Sequence, residues 1–435
     1  MTSDGSLDDT RTVISAARDE SFQVVVIGAG QAGLSASKLL TDRGVHHVVL
    51  ERHQIGHEWR QHRWDTFCLV TPNWQCRLPG FPYAGDDPEG FMPRAEIVSY
   101  LEEYAASFGP PVREGVDVIG VSKREDGRFA VRTDRGTLSA DAVVVAIGGY
   151  HRPIVPPVAA GLPDSVTQMQ SAHYRRPEDL PEGGVLVVGS GQSGTQIAED
   201  LFLAGRDVHL CTGKAPRVNR AYRGRDVVAW LEDMGYYDIP YDEHPQGERV
   251  RAKTNHYVTG RDGGRDIDLR VHAKAGMRLY GRLEAIEGTE VRFAPDLASN
   301  LDQADATALR IRELIDEHIA KHAIDAPPEP VYTPPWTPDR EVMSLDLDAA
   351  GVRSVVWCLG FKPNFGWAAP DILDAAGYPK HHRGVSETPG LYFLGLPWQH
   401  TWGSARFSGV ARDAEYVVEH VLENAVRGIR TAATV

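Results

Sequence analysis

Residues 23–51 read QVVVIGAGQAGLSASKLLTDRGVHHVVLE, and the order of features in this stretch decides the fold. An unbroken apolar run, short enough for a buried parallel strand, leads into Gly28, Gly30 and Gly33; a helical run closed by Gly44, a second apolar run and the acid Glu51 follow. Each part has a mechanical reason. Gly28 lets the chain turn sharply out of the strand, Gly30 leaves the backbone open to a pyrophosphate, and Gly33 lets the helix pack close to the sheet. The first helical residues, Gln31, Ala32 and Gly33, offer unpaired N–H groups and a partial positive charge to the phosphates. Glu51, with Arg52 beside it, stands roughly 20 residues on, where its carboxylate can accept hydrogen bonds from ribose hydroxyls. The stretch therefore predicts a Rossmann-like dinucleotide-binding unit and an α/β fold.

The chain then repeats its opening. Residues 184–210, GVLVVGSGQSGTQIAEDLFLAGRDVHL, give strand, Gly189-x-Gly191-x-x-Gly194, helix, Gly205 and strand, with Gln192 and Ser193 at the helix start. This predicts a second dinucleotide site. No acid ends its second strand. Thr212, Gly213, Lys214 and Arg217 follow instead, with Arg220 and Arg223 behind. Basic residues there suit a ribose 2′-phosphate and point to NADPH over NADH; the competing reading is a solvated basic loop.

Length and charge bound the rest. A chain of 435 residues needs more than one core. A net charge of −14 with no basic block argues against a nucleic-acid partner. No apolar segment approaches the roughly 20 residues that span a bilayer, and no leader-like run opens the chain, so the expectation is a cytoplasmic protein without a membrane partner. Cys68, Cys76, Cys211 and Cys358 are scattered without a CxxC pair, so neither a metal site nor a close redox disulfide is expected.

Between the fingerprints, residues 52–82 form a long segment dense in Trp and Arg with no clean periodicity, read as a functional loop. Its Trp59, Arg60 and Trp64 could line a flavin ring and clamp phosphates, or could fill core beneath a long connection. Residues 95–108 read as an amphipathic helix, 116–138 as an antiparallel meander, and 141–149 as a separate buried strand ending in glycines. Four prolines between 153 and 163 suggest a domain boundary. Residues 302–322 repeat apolar side chains at helical spacing; the stripe is either core or a contact surface for a homo-oligomer. The apolar runs 355–360 and 390–395 and a helix at 410–422 suggest that the chain returns to its first domain.

The residues resemble a known family, the class B flavoprotein monooxygenases. GAGQAG at 28–33 with Glu51 looks like that family's FAD fingerprint and GSGQSG at 189–194 like its NADPH fingerprint. IGHEWRQHRWDTFCLVTPN at 55–73 is similar to the loop in which residues matching Trp59 and Arg60 lie against FAD. Ala146-Ile147-Gly148 and Cys358-Leu359-Gly360 match the two linker motifs, and residues 390–416, which include Gly395 and Ser408, are similar to the terminal flavin-binding segment. The resemblance implies two Rossmann-like domains, the NADPH domain inserted into the FAD domain. It divides the chain into a loosely ordered 1–21, FAD domain 22–153, NADPH domain 154–349 with an insertion at 224–340, FAD domain again at 350–425, and a tail at 426–435.

The implied activity is oxygenation of a small organic substrate by O2 through a C4a-peroxyflavin formed after NADPH reduces FAD, in a pocket that excludes water. Trp59, Thr71, Trp398, His400 and Trp402 are the candidate walls, with Thr71 or Gln399 bonding the flavin edge. The chain departs from the family at one place. In QSAHYRRP, Gln170 holds the position of a signature histidine, which lowers the Baeyer–Villiger reading and leaves oxygenation at nitrogen or sulfur ahead. The alternatives are an NADPH-dependent reductase without oxygen insertion, its disulfide form disfavoured by the missing CxxC, and a non-enzymatic flavin-binding sensor.

Overall fold

The computed structural model describes residues 20–252, 254–368 and 370–432. The expected loose N-terminus thus lies almost wholly outside the described residues. Two parallel-centred sheets organise the chain. The first, of nine strands, runs in the order His381–His382, Val385–Ser386, Leu391–Phe393, Gly136–Val145, Glu20–Ile27, His47–Leu50, Val112–Arg113, with Phe129–Thr133 and Val118–Lys123 branching from Gly136–Val145. Val25, Val26, Val49, Val143 and Val144 are fully buried, as befits strands covered on both faces.

The meander and the buried strand of the sequence reading prove to be continuous. Gly136–Val145 is one ten-residue strand. Its first half pairs antiparallel with Phe129–Thr133, while its stretch from Leu138 to Val145 pairs parallel with Glu20–Ile27. Its sequence changes character midway because only the first half has a half-exposed face.

The second sheet is all parallel, in the order Thr167–Gln170, Val352–Trp357, Gly184–Val188, Val208–Cys211, Arg278–Tyr280. This corrects the expected boundary at 350. Val352–Trp357 lies between two strands of the second sheet, Val187 opposite Val356, and the chain rejoins the first sheet only after Gly360. Two crossings run side by side, Arg152–Pro153 antiparallel to Phe361–Lys362. A hairpin forms at Gly288 between Leu283–Glu287 and Glu290–Phe293.

The helix Gln31–Asp42 packs with Val410–Ala432, Leu34 and Leu40 meeting Val410 and Val417 in one core. The latter helix continues to Ala432, through most of the expected tail. Leu297–His322 starts five residues before the apolar repeat because Glu341 accepts the Leu297 and Ala298 N–H groups at 3.2 and 3.0 Å. Its stripe is core: Ala304 packs with Leu297 and Leu301, and Ile311 and Ile315 pack against Tyr222 and Trp230. Among the described residues no helix is long and apolar enough to cross a membrane.

Candidate functional site

The two glycine turns are copies of one geometry. Gly28 and Gly189 have φ of +102° and +106°, and their N–H groups donate to Leu50 O at 2.8 Å and Cys211 O at 3.1 Å. A Cβ on Gly28 would lie 2.7 Å from Ala146 O, and one on Gly189 2.6 Å from Cys358 O, so each turn abuts the end of a neighbouring buried strand. A Cβ on Gly33 would lie 1.8 Å from Gly28 O and one on Gly194 1.8 Å from Gly189 O; both helices ride directly on their turns. Over the middle glycines there is room. A Cβ on Gly30 meets nothing within 4 Å, and one on Gly191 only Thr254 Cγ2 at 3.6 Å. Each turn is therefore an open cradle at a helix N-terminus, the form a pyrophosphate requires. Gly148 and Gly360, at φ +73° and +85°, bend the chain away just beyond.

Beside the first cradle, Glu51 accepts the Ala29 N–H at 2.8 Å through Oε2 and the His53 N–H at 2.9 Å through Oε1. The carboxylate is thereby fixed at the cradle's lip, while Arg52 is exposed. Trp59 Nε1–H donates to Gln31 Oε1 at 3.0 Å, and Gln31 Nε2 donates to Ala405 O at 3.0 Å. Gln31 thus ties the Trp-rich loop to the terminal segment across the cradle. Phe407 faces Trp59 at 5.5 Å, Gly395 packs on Ala32, and the neighbouring Ser408 Oγ is buried without a partner. Arg60 turns away. It pairs with Glu102 at 2.5 Å and lines a groove of about 540 Å³ with Arg94, Arg175 and Arg176.

Beside the second cradle, Gln192 and Ser193 are half-buried in the first helical turn. The Gly213 N–H donates to Ser190 Oγ at 2.9 Å. Thr212 is buried and its hydroxyl donates to Tyr280 O at 2.8 Å. Lys214 is exposed and forms no ion pair among the described residues. The expectation for Arg217 is corrected: it is 2 % exposed, its Nε bonds Asp305 at 2.6 Å, and its guanidinium lies 4.5 Å over Tyr332. Arg220 likewise pairs with Asp226 at 2.9 Å, and Arg223 with Asp316 at 2.6 Å. The apparent basic loop is mostly an internal ion-pair network.

The terminal segment 396–407 reaches the second domain. Gln399 is fully buried, its Oε1 accepting Leu396 N–H at 3.3 Å and its Nε2 donating to Arg383 O at 3.2 Å. Its amide holds the loop together, which corrects its expected place at the flavin edge. Trp398 is buried at φ +53° beside His244. His400 O accepts the Tyr241 N–H at 2.8 Å, and burial, with Arg383 nearby, pushes the His400 imidazole down to about 4. It is neutral at physiological pH. Thr71 is buried in the Trp-rich loop, next to Val70, whose carbonyl accepts Arg220 Nη1 at 2.7 Å. Trp402 stacks on Tyr237 at 4.2 Å and carries the Arg406 guanidinium 3.8 Å above its ring.

Arg63 and Arg406 escaped the sequence reading. Arg63 lies 5.0 Å over Trp59, and Arg406 donates to Asn255 Oδ1 at 2.9 Å. Burial pulls both guanidiniums below their ordinary range. Arg63 stands four residues after Trp59, just past the helix His57–Gln61, a spacing that could have marked it; Asn255 gives no such signal.

Comparison with known proteins agrees with this arrangement. A family model described as pyridine nucleotide-disulphide oxidoreductase matches residues 25–234. A relative from Geobacillus kaustophilus, named as an oxidoreductase, CzcO-like, is 31% identical over 407 residues, covering 92% of this chain and 98% of the relative. The rice indole-3-pyruvate monooxygenase YUCCA1 is 34% identical over 184 residues, 42% of this chain and 45% of the relative. In fold, the flavin-containing monooxygenase from Stenotrophomonas maltophilia superposes with a TM-score of 0.65 at 22% identity, covering 93% of this chain and 99% of that one. The chain belongs to the CzcO-like oxidoreductases.

Proposed function

We propose that this protein is an FAD- and NADPH-dependent monooxygenase of the cytoplasm that transfers one oxygen atom from O2 to nitrogen or sulfur of a small organic substrate. The observation that carries the reading is the pair of equivalent open cradles joined by a loop and a terminal segment rich in aromatic side chains. FAD in such a site supplies hydride acceptance and O2 activation. The chain's own part is to bind, orient and keep dry. The helix starting at Gln31 would hold the FAD pyrophosphate and Glu51 the adenosine ribose; the helix starting at Gln192 would hold that of NADPH. Trp59, Phe67 and Phe407 on one side and Trp402 and Tyr237 on the other wall off water. A disulfide-reductase reading lacks a dithiol pair of this chain's own: all four cysteines are free, and Cys76, Cys211 and Cys358 are buried. Gln170, where the family signature has histidine, favours a heteroatom over a ketone as the site of oxygenation.

The deciding experiment reduces the purified holoprotein with NADPH without oxygen, then mixes it with oxygenated buffer. The expected result is a transient flavin absorbance distinct from the oxidised and reduced forms, whose decay an amine or sulfide accelerates. Direct return to the oxidised spectrum with stoichiometric hydrogen peroxide, whatever compound is added, would overturn the reading.

Nucleotide choice follows from the corrected basic loop. With Arg217 buried, Lys214 is an exposed cation beside the second cradle. Lys214→Ala is expected to weaken NADPH binding about tenfold, the size of one charge-assisted hydrogen bond, and to leave NADH binding unchanged. Titration of either nucleotide into the protein measures this directly; equal loss for both would remove Lys214 from the 2′-phosphate site.

A further inference from the structure

Asp200 stands on the helix that begins at the second cradle and is 3 % exposed. Three segments converge on its carboxylate. Thr66 Oγ1 of the Trp-rich loop and Arg261 Nη1 of the insertion both donate to Oδ1 at 2.7 Å, and Tyr174 Oη donates to Oδ2 at 2.7 Å. A buried carboxylate carrying three donors is strongly held, and so are the segments that supply them. Next in sequence to the buried Tyr174, Arg175 grips the same loop from another side. It donates to Arg60 O at 3.2 Å, to Gln61 Oε1 at 2.9 Å and to Arg63 O, while the Asp65 N–H donates to Arg175 O at 2.8 Å.

These contacts form a continuous path between the cradles. It runs from the second cradle's helix through Asp200 to Thr66, along the loop to Trp59, and through the Trp59–Gln31 hydrogen bond to the first residue of the first cradle's helix. Tyr174 and Arg175 are the aromatic and basic residues of the stretch in which Gln170 replaces the family's histidine. Gln170 itself ends the edge strand, and its carbonyl accepts the His173 N–H at 2.8 Å.

We propose that Asp200 is a positioning residue. Through Thr66 it sets the approach of the two cradles, and so the rate at which hydride leaves the reduced nicotinamide and reaches oxidised flavin, without setting how tightly either nucleotide binds. The transfer moves two electrons and one proton together, oxidising NADPH to NADP⁺ and reducing FAD. The inference rests on the reading that the cradles hold FAD and NADPH. Its size follows from geometry: displacement of a reacting group by about 1 Å costs up to a hundredfold in rate.

Thr66→Val tests it, because the shape stays and Asp200 keeps Tyr174 and Arg261. In anaerobic single-turnover reduction of the flavin-loaded protein, Thr66→Val is expected to lower the limiting rate about tenfold, with the NADPH dissociation constant unchanged, bound FAD retained and Thr66→Ser restoring the rate. Asp200→Asn should lower the rate further, and adding Thr66→Val to it should change little, since both remove one interaction. Amide hydrogen exchange over residues 62–67, measured without NADPH, should quicken in Thr66→Val. A wild-type limiting rate in Thr66→Val, or a change in NADPH affinity with the rate intact, overturns the proposal. Wild-type protein whose flavin NADPH does not reduce would instead overturn the functional reading and the rate claim with it; the exchange measurement still decides whether Asp200 grips the loop.

Discussion

Gly33→Ala is expected to purify as a folded or partly folded protein without flavin. The added Cβ would lie 1.8 Å from Gly28 O and 2.9 Å from Gly28 C, and both are backbone atoms of a turn already pressed against Ala146. No flexible side chain stands in the way to move aside. The helix must shift off the turn by well over 1 Å, which costs roughly 1–3 kcal/mol in packing. The same shift carries the N–H groups at the helix start away from the pyrophosphate, so FAD affinity should fall by about a hundredfold or more. Gly30→Ala separates the two effects. Its Cβ meets nothing in the protein within 4 Å, so the apoprotein should melt as wild type does, while the methyl group occupies the space the phosphates need. Gly194→Ala should repeat the first result at the second cradle, giving a yellow protein that NADPH does not reduce, since its Cβ would lie 1.8 Å from Gly189 O. The ratio of flavin to protein absorbance, read beside a melting curve, checks all three. Full flavin content in Gly33→Ala would show that the turn yields more easily than its contacts imply.

These cradles were legible in the sequence because each glycine answers a local steric demand that no other residue meets. Gly28 and Gly189 sit at positive φ against a carbonyl, and Gly33 and Gly194 sit where any Cβ collides. Features set by distant partners were not legible. Val355–Trp357 and Val143–Val145 are equally apolar, and a strand buried on both faces carries no periodicity to say which sheet it joins. Pairing with Gly184–Val188 decided it. Gln399 looked like a flavin contact because it lies in the segment that resembles the family's terminal flavin-binding segment, but the carbonyl of Arg383 and the N–H of Leu396 turn its amide inward. Asp200 looked like any polar residue of a helix; its three donors come from segments up to 134 residues away.

Arg217 shows the same limit with the largest energetic consequence. As a base six residues beyond a strand it suits a phosphate, yet its partner Asp305 lies 88 residues downstream. Asp305 is shared: Oδ1 accepts Arg217 Nε at 2.6 Å and Oδ2 accepts Arg270 Nε at 2.7 Å, while Arg270 Nη2 reaches Asp302 at 2.5 Å. Asp268 lies 3.8 Å from Arg217 Nη1 and accepts the Tyr332 hydroxyl at 2.9 Å. Burial opposes the charge on Arg217, and Asp268 and Asp305 more than offset it, holding the guanidinium above its ordinary range. Removing one member leaves buried charge uncompensated, so Arg217→Ala should destabilise the protein by about 3–5 kcal/mol. For a domain of this size that is a fall of roughly 10 °C in melting temperature. The double variant Arg217→Met/Asp305→Leu should recover part of the loss, because the Asp305 carboxylate leaves together with its Arg217 partner while Arg270 keeps Asp302. Folded Arg217→Ala should bind NADPH as tightly as wild type, whereas Lys214→Ala should melt normally and bind it weakly. Were Arg217→Ala instead to melt with the wild type and lose NADPH affinity, the guanidinium would have to leave Asp305 for the nucleotide, and the network around Asp305 would be a resting state of the site.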